Sequence, residues 1–127
     1  MFEVQKSVEF SAAHSLRDYE GPCARNHGHN YRVEIVVRGD TLDRQRLLID
    51  FADLDRILAP LVARLDHQNL NEIPPFDRVN PTAEAIAEWF FRGLGEPVAK
   101  ATEGRARLAA VRLWETPDSW VVYSEEL

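Results

Sequence analysis

The sequence predicts an α+β fold, an antiparallel sheet covered on one face by two helices, and three observations carry that prediction. Stretches toward both ends of the chain alternate apolar and polar residues with the period of a strand, and two central stretches repeat apolar residues at helical spacing. The two kinds are grouped as strand, strand, helix, helix, strand, strand, which favours segregated layers over alternating parallel units.

In residues 2–12, Phe2, Val4, Val8 and Phe10 fall on one side and Glu3, Gln5, Ser7 and Glu9 on the other, as in a half-buried strand. A second strand is expected over about 29–38, where Tyr31, Val33, Ile35 and Val37 share a face before the Gly39-Asp40 turn signal. The connection between them holds Gly21, Pro22, Cys23 and Gly28. After Leu47-Leu48-Ile49, residues 52–65 set Leu54, Ile57, Leu58, Leu61, Val62 and Leu65 in one helical stripe. Pro60 interrupts it and, having no N–H for the ladder, is expected to kink or restart the helix. A second helix is expected from Asn80-Pro81-Thr82, capped by Asn80 with Pro81 in the first turn, carrying Ile86, Trp89, Phe90 and Leu94 and ending at Gly93 and Gly95. Residues 97–104 read as a loop, and 108–115 and 120–124 as strands joined at Thr116-Pro117-Asp118-Ser119.

With 127 residues, 45% of them hydrophobic and 28% charged, the chain reads as one globular domain over 1–127. A formal charge of −6 argues against a nucleic-acid partner, and the pairs Arg44 with Arg46 and Arg105 with Arg107 read as solvated charges. No leader-like or membrane-spanning apolar run is evident, so a cytoplasmic protein is expected. A single cysteine excludes an internal disulfide and leaves Cys23 as a buried thiol or a reactive one.

The chemistry concentrates in His27-Gly28-His29. Residues i and i+2 of a strand point to the same side, so both imidazoles can reach one ion while Gly28 allows close backbone approach. His14 lies just past the first strand, and antiparallel pairing brings it beside them. Three neutral imidazoles leave a tetrahedral ion one open position, the arrangement of catalytic zinc, although iron(II) and other divalent ions also suit such ligands. Cys23, four residues before His27 in a Gly-Pro-Cys loop, has two roles open to it. It is either a thiolate base or nucleophile near the ion, or a fourth ligand that would make the site structural. Asp66-His67 has the makings of a proton relay and equally of a helix-end cap, while Glu115 alone reads as a strand-end charge.

Taken together, Phe10-Ser11-Ala12-Ala13-His14, Cys23-x-x-x-His27-Gly28-His29, Ile49-Asp50-Phe51, Leu65-Asp66-His67, Asn80-Pro81-Thr82-Ala83-Glu84 and Trp114-Glu115-Thr116-Pro117 resemble the 6-pyruvoyltetrahydropterin synthase family over nearly the whole chain. The spacing of Cys23 from the histidine pair is more similar to its 6-carboxytetrahydropterin synthase branch, which serves queuosine and 7-deazapurine biosynthesis. The resemblance implies a tunnelling fold with a four-stranded sheet and two helices, assembled as trimers or hexamers with active sites between subunits. It implies one Zn2+ per subunit on His14, His27 and His29, Cys23 as catalytic base, Asp66 with His67 as relay, and Glu115 as the anchor of a pterin triphosphate substrate. The implied reaction turns 7,8-dihydroneopterin triphosphate into 6-carboxy-5,6,7,8-tetrahydropterin, acetaldehyde and triphosphate. A 6-pyruvoyl product, aldolase-like side-chain cleavage, or a non-catalytic zinc-stabilised pterin-binding oligomer are the alternatives. Residues 43–47, where relatives often carry a glycine turn, and 97–104 depart from the pattern and leave the triphosphate's ligands unassigned.

Overall fold

The computed structural model describes residues 1–125. β1 spans Phe2–His14 and β2 spans His27–Gly39, paired antiparallel from Phe2 opposite Gly39 to His14 opposite His27. Both strands run past their expected ends onto the histidines, because the ladder continues through the small residues Ala12, Ala13 and Gly28. β2 pairs on its other side with β4 (Ala106–Thr116), and β4 pairs with β5 (Ser119–Ser124), both antiparallel.

A further strand, β3 (Gln68–Asn69), lies parallel to β1 at Ala12 and Ala13 and makes a five-stranded sheet of order β3-β1-β2-β4-β5. The expected four strands thus become five, since a two-residue strand is too short to show any period.

α1 (Phe51–Leu65) starts at Asp50, whose carboxylate accepts from the Ala52 N–H at 2.8 Å. Pro60 does not restart the helix. It sits on the exposed side, where water can take the carbonyl that proline leaves without its N–H.

α2 (Ala83–Ala101) departs from expectation at both ends. Its cap is Thr82, accepting from the Ala85 N–H at 3.1 Å, while Asn80 instead binds the backbone of Arg17. Neither Gly93 nor Gly95 ends it. A β-carbon on Gly93 would stand 3.0 Å from a methyl of Leu61, so this glycine lets the two helices approach. Leu94 and Val98 are fully buried, and their packing carries the helix through Pro97 into the segment expected to be loop.

Both helices cover one face of the sheet. Leu54 and Leu58 of α1 and Ile86, Phe90 and Leu94 of α2 share a core with Phe10, Tyr31, Val33, Ile35, Val111 and Leu113. Each such large apolar side chain contributes roughly 1.5–3 kcal/mol through burial. The opposite face is charged, with Arg38 paired to Glu3 at 2.7 Å, Arg112 to Glu34 at 2.8 Å and Arg32 stacked 3.9 Å over Trp114. At one end of the core face, apolar side chains give way to histidines.

Candidate metal centre

Strand register builds the centre. Because His14 pairs with His27 and Ala12 with His29, side-chain alternation turns all three imidazoles to the core face. Their ring centroids lie 4.6–5.1 Å apart, and one ligand nitrogen from each falls within 4.8 Å of the others. Cys23 is not part of this group.

Backbone carbonyls orient two of the rings. The Nδ1–H of His14 donates to Pro81 at 2.7 Å and that of His27 to Arg25 at 2.7 Å, which leaves Nε2 as the bare nitrogen of each. The Nε2 atoms of His14 and His29 are buried with no hydrogen-bond partner among the described residues, a costly arrangement for side chains that serve only packing. Burial also lowers the basicity of both imidazoles, keeping them neutral as metal ligands must be. The residues therefore fit a divalent cation, and an all-imidazole set suits zinc, iron(II) and similar ions.

The loop behind His14 is held from a distance. Arg17 donates to the carbonyls of Phe76 at 2.7 Å and Val79 at 3.3 Å, and its backbone N–H donates to Asn80 at 2.8 Å. These contacts place Pro81, whose carbonyl orients His14.

Glu115 reaches the same group from β4, its two oxygens 3.8 Å from the Nε2 atoms of His14 and His29. It occupies a β-bulge, since Trp114 pairs with Trp120 and Thr116 with Ser119, and bulges re-aim side chains beside sites. Tyr31, on the same face of β2, is fully buried, and its hydroxyl has no hydrogen-bond partner among the described residues. Burial and the Glu115 charge push its ionisation far up, so it remains a donor.

A cavity of about 450 Å³ adjoins Glu115 and is also lined by Tyr19, Asn80, Glu84 and Trp120. Neither Tyr31 nor Glu84 was singled out from sequence for chemistry. Tyr31 read as one more member of an apolar face, while Glu84 lay inside a motif whose expected signals were only those of a helix start.

Asp66 and His67 stand elsewhere. Asp66 caps the end of α1, and its carboxylate accepts from the Ser11 N–H at 2.9 Å and pairs with His67 Nδ1 at 2.9 Å, contacts that hold it below its usual range. His67 is 80% exposed at a left-handed φ of 60°, an uncommon conformation for a residue other than glycine. With Ser11, Ala12, Ala13, Gly28, His29 and Asn30 it lines an open cavity where β3 runs beside β1. The cap reading is met by Asp66 at the end of α1, and the Asp66–His67 pair has the contact that a relay would use.

Cys23 is half-buried in a 3₁₀ turn (Pro22–Ala24), its carbonyl accepting from the Leu16 N–H at 2.9 Å, which ties it to the strand ends that carry the histidines.

Among known proteins, the chain is 35% identical over 127 residues to the 6-carboxy-5,6,7,8-tetrahydropterin synthase of Bacillus subtilis, covering 96% of this chain and 84% of that protein. It is 35% identical over 108 residues to the dihydroneopterin monophosphate aldolase of Pyrococcus furiosus, covering 85% and 84% respectively. The solved 6-pyruvoyl tetrahydropterin synthase of Caenorhabditis elegans superimposes with a TM-score of 0.83 at 25% identity, over 98% of this chain and 96% of that one. The 6-pyruvoyl tetrahydropterin synthase family model matches residues 3–126, and with the fold and the three-imidazole group already in place, the chain belongs to that family.

Proposed function

We propose that the protein is a zinc-dependent 6-carboxytetrahydropterin synthase, acting on 7,8-dihydroneopterin triphosphate to release acetaldehyde and triphosphate and supplying queuosine or 7-deazapurine biosynthesis. The observation that carries this reading is the group of three imidazoles, two of them with buried nitrogens that lack a partner among the described residues, in a chain 35% identical to a protein of that activity.

Bound by His14, His27 and His29, zinc would act as a Lewis acid toward the oxygens of the substrate side chain, acidifying the neighbouring C–H. Cys23 takes that proton as a thiolate, from a loop tied to the strand ends that carry the ligands. His67 returns a proton, with Asp66 holding its imidazole by the Nδ1 hydrogen bond. Glu115 anchors the pterin edge, its two oxygens accepting from the exocyclic amine and a ring N–H. Glu84 adds a second carboxylate in the lining of the same cavity, where paired N–H donors of a pterin edge would find an acceptor.

His67 is 80% exposed and stands outside the three-imidazole group, which supports a site completed by another copy of the chain in a trimer or hexamer. A cytoplasmic location follows from the proposed pathway, and no described helix is long and apolar enough to cross a membrane.

The test is product analysis with zinc-loaded protein and 7,8-dihydroneopterin triphosphate. Acetaldehyde and the carboxy product are expected. A pyruvoyl product without acetaldehyde would move the protein to the triphosphate-eliminating branch. Side-chain cleavage to a 6-hydroxymethyl pterin would favour aldolase chemistry, the reading that the similarity to the Pyrococcus furiosus protein keeps open. Cys23→Ala should keep zinc and fold while losing turnover, and loss of metal and fold together would mark a structural site instead.

A further inference from the structure

We infer that the side-chain carboxamide of Asn71 is a positioning group for Cys23: it fixes the chain just past His14, to which the Cys23 turn is fastened, and so sets where the thiol stands relative to the three imidazoles. The inference rests on reading Cys23 as the thiol that takes the substrate proton.

β1 ends at His14, and β3 pairs with it only at Ala12 and Ala13 before the chain enters a 3₁₀ turn (Leu70–Glu72). Beyond that point side chains take over from backbone. The Asn71 carboxamide oxygen accepts from the Ser15 N–H at 2.9 Å, while its nitrogen donates to the Ser15 carbonyl at 3.0 Å. Two residues on, Asn80 repeats the pattern on Arg17, at 2.8 and 3.2 Å. Leu16, between them, gives its N–H to the carbonyl of Cys23 at 2.9 Å. Successive residues thus bond alternately to the asparagines and to the Cys23 turn, the pattern of a strand with a neighbour on each side.

The choice of asparagine is chemical. A carboxamide is neutral and carries donor and acceptor together, so it can meet both polar groups of one residue as a backbone neighbour would. Asn71 is itself held, its N–H donating to the Asn69 side chain at 3.2 Å. The turn that carries Cys23 is bonded internally at Gly21 and Pro22, and the Leu16 N–H is the backbone donor that fastens it to the end of β1. Releasing Ser15 therefore frees the half-buried thiol to move. A displacement of about 1 Å is enough to cost roughly 100-fold at a reacting centre. Asn80 adjoins Pro81, whose carbonyl orients His14, so Asn71 is the cleaner probe of the thiol alone.

The test is Asn71→Ala in the full zinc-loaded chain. Should it not fold, Asn71→Asp replaces it, keeping an acceptor for the Ser15 N–H and setting an oxygen against the Ser15 carbonyl. Either variant should lower kcat for 7,8-dihydroneopterin triphosphate by roughly tenfold or more, with KM held within about threefold and zinc content unchanged. A second measurement needs neither metal nor substrate. In metal-free protein followed by NMR, amide hydrogen exchange at Leu16 should quicken by roughly tenfold or more, while the amides of Val4 and Val8 in β1 keep their rates.

An unchanged kcat, or a fall in kcat matched by loss of zinc, overturns the inference. So does a Leu16 amide that keeps its protection, because Asn71 would then have no hold on the Cys23 turn, and so does an equal rise at Val4 and Val8, which would mark general loosening. Cys23→Ala separates this failure from that of the proposed function. Turnover retained in Cys23→Ala would overturn the catalytic reading of the thiol and the inference with it, whereas unchanged kcat in the Asn71 variant beside an inactive Cys23→Ala would overturn the inference alone.

Discussion

The two histidine-bearing regions of this molecule are built on opposite plans. His14, His27 and His29 sit at the end of a continuous two-strand ladder, with two rings oriented by backbone carbonyls and two bare nitrogens buried. His67 stands 80% exposed on a left-handed residue after a helix, fixed mainly through its neighbour Asp66. The first region is gathered by the strands of one chain, and the second offers its imidazole outward. A metal site must exclude competing ligands and hold its geometry, whereas a proton donor needs only to meet a substrate whose pocket another copy can supply.

Removing a member of the buried set should have the largest effect. His14→Ala should abolish metal binding, a loss well beyond the roughly 10–100-fold that follows loss of an outer-shell partner. Metal analysis after dialysis checks this, and full metal content in the variant would break the contrast at its centre.

Next comes the exposed dyad. His67→Ala should lower turnover by about 10²–10⁴ with metal content unchanged, the usual span for losing a general acid or base. Mixing His67→Ala chains with Cys23→Ala chains after subunit exchange should regain a substantial part of the activity if each site draws on two copies. No recovery, with exchange verified by mass spectrometry, would place the relay and the thiol in one chain.

Arg17→Ala should act on the buried region from outside, weakening metal binding by about 10-fold through the loosened Pro81 carbonyl, as outer-shell changes do. Competition with a chromophoric chelator measures it.

The smallest effect is on acid stability. The Asp66 carboxyl titrates below its ordinary 3.8, chiefly because the Ser11 N–H favours the ionised form. Its contribution is therefore fully present above that value and is lost as pH falls through the lower folded one. Asp66→Asn should flatten the acid limb of a thermal-denaturation series below about pH 4, with a shift of no more than a few degrees at neutral pH.

The ladder that carries the candidate metal ligands was legible because its signal is local: alternation through Phe10 and Tyr31, then three histidines at same-face spacing. The family pattern added Cys23, Asp66, His67 and Glu115, but their distances could not be read from spacing. Where His67 stands depends on α1 ending against Ser11, a contact spanning 55 residues. The course of α2 past Gly93 was hidden for a related reason, since glycine's low helix propensity is outweighed by a helix–helix approach at Leu61 and by burial of Leu94 and Val98. Tyr31 went unnoticed because alternation reports burial and is silent about a hydroxyl at the tip of a buried ring.

The Arg17 clamp also bears on time. Its contacts to Phe76 and Val79 cross about sixty residues of chain, so the carbonyl behind His14 stays in place only while that long connection remains closed. Local opening of a connection costs less than global unfolding. The dwell time of a bound ion would then be a clock for opening of the 70–81 segment, readable in its escape kinetics while the rest of the molecule stays folded.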